Sequence, residues 1–321
     1  MAQFNRTHDL TVLYDLVMQR TPIFLAAPDG MGKSFLLQQL ISKLEQRRVC
    51  FYISMRGYLS FQQFIEDWIA EISRVAAGHN NLQYQFKRFL ESNSPLRLQK
   101  IGEALEWCHH LSQMLAQVSL DFLFIFEDLE EWEAEAGDES IHQFFQSVGS
   151  ARNAQLLFTA NLSAFTKPDI PGITHYTLEP LAAESVWPEG PTAEQKLAYE
   201  YTGGHTGFLL HLTRYQANGD NFSAASEKLM QEIHPRFKLF KNRFTNLQWK
   251  LLMAIALEGS VEQPHAFNFL VHYKLGAASS VERALKNLSD SGVIQQRNKA
   301  WQLTQTIHER WLQWLYSSSF N

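Results

Sequence analysis

Short apolar runs alternate with longer periodic stretches through the first half of the chain. Five runs read as strands: 23–27, 49–54, 122–126, 154–161 and 174–181. The runs 23–27 and 122–126 are wholly apolar, which fits strands covered on both faces, as in a parallel sheet. Between them, apolar residues recur at helical spacing. One stripe is Phe61, Phe64, Ile65, Trp68, Ile69 and Ile72. Another is Ile101, Leu105, Cys108, Leu111, Leu115 and Val118. Leu10, Leu13, Leu16 and Val17 outline a first helix, with Thr7 or Asp9 placed to cap it. Residues 77–98 are polar and interrupted, and read as an insertion with one short helix over 84–90. A further helix is expected over 140–149. Strands alternating with helices predict an α/β fold on a parallel sheet.

Beyond residue 181 the strand pattern stops. Gly203 and Gly204 supply a helix stop. From Arg236 a basic, aromatic run leads into helices over 247–257, 266–271 and 277–288. Ser279 or Ser280 is placed to cap the last of these, and Gly292 to end it. Residues 293–304 read as a β-hairpin turning at Asn298-Lys299. A closing helix carries Trp311, Leu312 and Leu315. Three helices and a hairpin make a winged helix-turn-helix.

The first strand leads into the stretch that carries chemistry: Ala27, Pro28, Asp29, Gly30, Met31, Gly32, Lys33, Ser34 and Phe35. Strand, glycine-bearing turn and helix is the setting of a phosphate-binding P-loop, G-x-x-x-x-G-K-[ST]. Ala27 stands where the formula has its first glycine. Gly30 and Gly32 let the backbone approach an anion, and the helix start directs N–H groups at it. Lys33 adds a point charge for the β- and γ-phosphates of ATP, and the Ser34 hydroxyl is placed to ligate Mg2+. The run Phe122–Phe126 ends in Glu127 and Asp128, a buried strand delivering paired acids in the Walker B manner. The usual Asp-Glu order is reversed. By position Glu127 belongs to the metal and Asp128 is the catalytic base, but the sequence leaves the division open. Glu130 and Glu131 follow at once.

Composition bounds the rest. An apolar fraction of 45% and eight Trp in 321 residues describe folded domains. Two Cys make no disulfide framework, no apolar run reaches a membrane span, and the N-terminal residues have no signal-like apolar core. A cytoplasmic protein with no membrane partner is expected. Cys108-His109-His110 is a poor metal site, because adjacent helical side chains diverge. The net charge of -5 is uneven: residues 236–321 hold 11 Lys+Arg against 5 Asp+Glu, and the remainder 17 against 28. A basic module on an acidic body points towards DNA or an acidic partner.

The order of these features resembles the archaeal-type, STAND-related branch of the AAA+ ATPases. Phe4-Asn5-Arg6-Thr7-His8-Asp9-Leu10 is similar to the "F-x-x-R-x-x-E-L" box ahead of the P-loop in that group, with the acid shifted. The resemblance implies that Asn161, or Thr159, at the end of the fourth strand is the sensor 1 residue beside the γ-phosphate. It makes Gly203-Gly204-His205-Thr206 the lid turn, with Thr206 in place of Pro. No Arg lies between Arg152 and Arg214, so only Lys167 stands where an arginine finger usually follows sensor 1, and the sequence does not assign that role to Arg152 or Arg214. The implied fold is a P-loop core (1–181) with a parallel sheet flanked by helices, a helical lid (182–235) and a winged-helix domain (236–321). The implied function is an ATP-binding switch or slow Mg2+-dependent ATPase, with a winged helix that contacts DNA or a partner protein; a partner protein or self-association is expected for the chain. For DNA the contacts expected are Ser279, Ser280, Arg283 and Lys286, with Arg297 and Lys299 from the wing. The alternative is a signalling or scaffold protein with little hydrolysis and a winged helix used for protein contacts alone.

Overall fold

Strands β1 (Ile23–Ala26), β2 (Val49–Ser54), β3 (Phe122–Glu127), β4 (Ala154–Ala160) and β5 (Thr174–Thr177) form one parallel sheet in the order β2-β3-β4-β1-β5. The structure is a computed structural model and describes residues 4–28, 30–55, 61–94, 101–129, 138–161 and 172–318. All five strands point the same way. The loop after β1 and the acids after β3 therefore emerge at one edge of the sheet, the C-terminal edge where open α/β sheets bind ligands.

Alternation along the strands covers both faces. Ile23, Leu25, Leu123, Ile125 and Leu157 pack against α1 (Thr7–Met18) and α2 (Lys33–Leu44). Phe24, Phe51, Phe124, Phe126 and Phe158 face α3 (Phe61–Ala76), α4 (Asn80–Ser92), α5 (Ile101–Ala116) and α6 (Asp138–Gly149). That second face is largely aromatic: Phe51 stacks on Phe124 at 4.8 Å, and Trp68, fully buried, meets Phe144 edge-on at 5.0 Å.

Two local expectations change. The helix expected over 84–90 is the longer α4, because Leu82, Phe86 and Phe89 bury one narrow stripe while the rest of the helix faces solvent. Neither Thr7 nor Asp9 caps α1: Arg6 holds the N-cap position without a side-chain cap, and the Asp9 carboxylate is taken up by Arg6 and Tyr176. Cys108 is buried and Cys50 half-buried; both thiols are free.

The chain divides into two compact units, Arg6–Glu179 and Met1–Asn5 with Pro180–Asn321. The second contains α7 (Ala183–Val186), α8 (Ala193–Thr202), α9 (Thr206–Ala217), α10 (Phe222–Phe240), α11 (Asn246–Glu258), α12 (Phe267–His272), α13 (Ala278–Asp290), the hairpin β6 (Ile294–Arg297)–β7 (Ala300–Leu303), and α14 (Thr306–Ser318). α10 runs through Pro235 without a break, so lid and winged helix share one helix and one core. Gly203 and Gly204 both have positive φ, and a Cβ on Gly203 would lie 2.6 Å from Thr306 Oγ1. The turn needs glycine for conformation and for the close approach of α14. α13 starts at Ala278 with Ala277 as its N-cap, so neither Ser279 nor Ser280 caps it. Among the described residues no helix is long and apolar enough to cross a membrane.

Candidate nucleotide site

The loop from Ala27 to Ser34 joins the end of β1 to the start of α2. Ala27 is fully buried, and its N–H donates to the Ala160 carbonyl on β4 at 3.1 Å. Gly30 and Gly32 have φ of 76° and 92°. Gly32 is the N-cap of α2, with no side chain capping the helix. Its first N–H groups and the positive end of its dipole are thus available to an anion. The Lys33 ammonium is buried and donates to the carbonyls of Ala27 at 2.8 Å and Pro28 at 3.4 Å, arching back over the loop. Asp29 lies outside the described residues. Phe35, one position past Ser34, is 51% exposed, a large apolar surface at the mouth of the loop.

The acids meet this loop. Ser34 Oγ donates to Glu127 Oε1 at 2.6 Å, and the Tyr52 hydroxyl on β2 donates to Oε2 of the same carboxylate. The register explains this: β2 and β3 pair with Ser54 opposite Glu127, so the phenol at Tyr52 reaches along the sheet to the strand end. Asp128 is buried with φ 60°, in the left-handed region, and its N–H donates to Thr159 Oγ1 at 3.1 Å. Thr159 is fully buried and occupied by Asp128, while Asn161 stands just beyond the end of β4, half-buried. Glu130, Glu131 and Lys167 lie outside the described residues. Arg152 stands before β4, at the sheet edge opposite the loop.

Two residues that touch the loop or its acids were not among the candidates read from sequence. One is Tyr52, embedded in an apolar strand. The other is Arg6, 3% exposed, which donates to the Met31 carbonyl inside the loop and to the Glu179 carbonyl, each at 2.9 Å. It also pairs with Asp9 at 2.9 Å, and Asp9 accepts from the Tyr176 hydroxyl at 2.5 Å. Burial, followed by this carboxylate contact, pushes the Tyr176 phenol well above its ordinary pKa, so it stays a donor. The arginine ties the loop at Met31 to Asp9 on α1 and to the chain just past β5.

In the other unit, His205 is the buried N-cap of α9, with its ring 4.0 Å from that of Phe208. α13 exposes Ser279, Ser280, Arg283 and Lys286, with Glu282 and Asp290 beside them. In the wing Arg297 and Lys299 are exposed, and Asn298 and Lys299 have φ of 51° and 68°. This is the left-handed pair of a type I′ hairpin turn.

Comparison with solved structures agrees with this architecture. The Walker-type ATPase of Pyrococcus abyssi aligns over 97% of this chain and 96% of its own, at 18% identity and a TM-score of 0.68. The likeness shows a shared fold, a parallel sheet flanked by helices followed by a winged helix. The ORC2 protein of Aeropyrum pernix, in its ADPNP–ADP complexes, aligns over 98% of this chain and 96% of its own, at 10% identity and a TM-score of 0.62. A family model described as "Probable winged helix domain" matches residues 235–314. No curated protein sequence matches the chain.

Proposed function

We propose that this protein is an ATP-binding switch with slow, Mg2+-dependent hydrolysis, whose nucleotide state is read out by the winged helix. The observation that carries the reading is the Ser34–Glu127 contact at 2.6 Å. It joins a hydroxyl and a carboxylate, both hard oxygen donors, at the mouth of a loop whose helix start carries no side-chain cap at Gly32. That donor set suits Mg2+, which is held by one or two protein oxygens together with phosphates. When bound, the metal neutralises charge on the β- and γ-phosphates. Ser34 and Glu127 would hold it, Lys33 would meet the phosphate oxygens, and Tyr52 orients Glu127. Asp128 is the base that takes the proton of the attacking water, and Asn161 positions that water. The Aeropyrum pernix protein with this fold was solved with ADPNP and ADP, which supports a nucleotide ligand here. Calorimetric titration of ATP with and without Mg2+ tests the reading. Wild type binds, Lys33→Ala loses at least about tenfold in affinity, and Asp128→Asn binds but turns over more slowly. Equal affinity in wild type and Lys33→Ala overturns the site.

For the output, Arg283, Lys286, Arg297 and Lys299 form an exposed basic set suited to DNA phosphate. DNA binding by the full chain then weakens with salt, with a log–log slope of about -0.9 per phosphate contact. A second reading rests on α12, where Phe267 and Val271, one turn apart, are 77% and 58% exposed. Exposed apolar residues at that spacing favour a protein contact. DNA binding that is absent, or insensitive to salt, decides for this alternative.

A further inference from the structure

The edge of the sheet opposite the P-loop carries a pocket of about 450 Å3 that the nucleotide reading does not use. Every segment lining it precedes a strand: Arg20 before β1, Arg47 before β2, residues 116–121 before β3, and Arg152 with Asn153 before β4. β3 has six residues, so the pocket lies on the order of 20 Å from the nucleotide site. Three guanidinium groups line one concavity, with Asp121 as the single carboxylate. Arg20, held at φ 62°, spends its charge on Asp121 at 2.6 Å. Among the described residues neither Arg47 nor Arg152 is paired with a carboxylate. Behind the wall, the guanidinium of Arg48 is buried, fixed by Gln155 at 2.5 Å and the Val17 carbonyl at 2.9 Å, and adds to the positive potential. The floor is set in advance: the Asn153 amide donates to the carbonyls of Leu115, Val118 and Leu120 at 3.0, 3.0 and 2.7 Å, which fastens the turn before β3.

We propose that this pocket is a second anion site that takes a small polyphosphate. Guanidinium forks match phosphate oxygens in pairs, and unpaired forks around one concavity favour an anion with several charges in a small volume. A pocket of this size suits a small molecule better than a duplex, which needs an extended basic surface.

Tripolyphosphate is the probe, titrated by calorimetry in a Lys33→Ala background so that the P-loop contributes little. The site predicts saturable, salt-sensitive binding in that background. Adding Arg47→Ala and Arg152→Ala weakens it at least tenfold. Adding Arg47→Lys and Arg152→Lys, which keeps charge and packing, weakens it less than the alanine pair, so a loss from unfolding is told apart by thermal melts of both. Absence of binding in Lys33→Ala, or equal affinity after the paired alanine changes, overturns the proposal. Tighter binding of a ten-nucleotide single strand than of tripolyphosphate at the same arginines overturns the small-molecule assignment.

Discussion

Ser34 Oγ donates to Glu127 Oε1 across 2.6 Å, joining residues that lie 93 positions apart. The contact brings the helix start after the loop and the end of β3 to one point. Two oxygens already aimed at each other need little reorganisation to share a metal ion. Glu127→Gln keeps the shape and removes the charge. It is expected to lower ATP affinity in Mg2+ by about tenfold, worth about 1.4 kcal/mol, while leaving affinity in EDTA nearly unchanged. Titrations in the two buffers check this. An equal loss in both assigns Glu127 to structure rather than to the metal.

Tyr52 holds the other oxygen of the same carboxylate. Tyr52→Phe removes only the hydroxyl and leaves a buried carboxylate oxygen with one donor fewer. The expected cost is about 1–3 kcal/mol of stability in metal-free buffer. A metal at Glu127 recovers part of that cost. Chemical denaturation with and without Mg2+·ATP therefore shows a smaller difference between variant and wild type when the nucleotide is present. A difference that is the same in both conditions removes Tyr52 from the site.

Arg6 carries more partners than either. Its guanidinium serves two carbonyls and a carboxylate from within the core. Removing one partner of a buried ion pair costs about 3–5 kcal/mol. Arg6→Ala is expected near that range by urea denaturation, and Arg6→Lys recovers less than half, because a point charge cannot serve three acceptors in a fork. Nucleotide affinity falls as well, since the Met31 carbonyl inside the loop loses its brace.

What sequence made legible and what it hid follow from distance along the chain. The P-loop reads from contiguous residues: Gly30 and Gly32 at positive φ, Lys33 and Ser34 on the next helix turn. The acids read because an apolar run of five residues, Phe122–Phe126, ends in them. The wing turn reads because Asn298 tolerates the left-handed conformation. Tyr52 was hidden, because a phenol in an apolar strand looks like core until register shows which carboxylate it meets. Arg6 stands in the box ahead of the P-loop, but nothing local in the sequence shows that its guanidinium meets a carbonyl 25 residues further on. Asp128 gave no sign that its own backbone is left-handed. Ser279 and Ser280 misled as caps, because a serine in a helix's first turn looks the same as one just before it.

Cys50 yields a prediction in pH. Burial, only partly offset by Arg48, raises its thiol from 9.0 to about 12. The native state thus holds a proton that the unfolded state releases above pH 9. The contribution of this group to stability is complete below pH 9 and is lost as pH climbs towards 12. Native protein at pH 8.5 is expected to react with a thiol reagent far more slowly than urea-unfolded protein, at Cys50 as at the fully buried Cys108. The stability difference between wild type and Cys50→Ala shrinks between pH 9 and 12. Fast native labelling of Cys50 contradicts this.

The wing tip sets stability against binding. Lys299 occupies a left-handed conformation at φ 68°, which costs a residue with a side chain about 1–2 kcal/mol relative to glycine. Lys299→Gly creates Asn-Gly, the preferred pair for this turn. It is therefore expected to stabilise the chain by several tenths of a kcal/mol up to about 1, read as a higher midpoint in denaturant, with gain in the hairpin offset partly by the freer unfolded chain. The same change removes one cation from the exposed basic set. If the wing lies on phosphate, the salt slope of DNA binding falls by about 0.9 while stability rises. If the winged helix contacts protein alone, stability rises and the salt response stays flat. A variant that is less stable than wild type contradicts the turn assignment itself. The opposed signs of stability and affinity are what separate a strained lysine kept for contact from one that is merely tolerated.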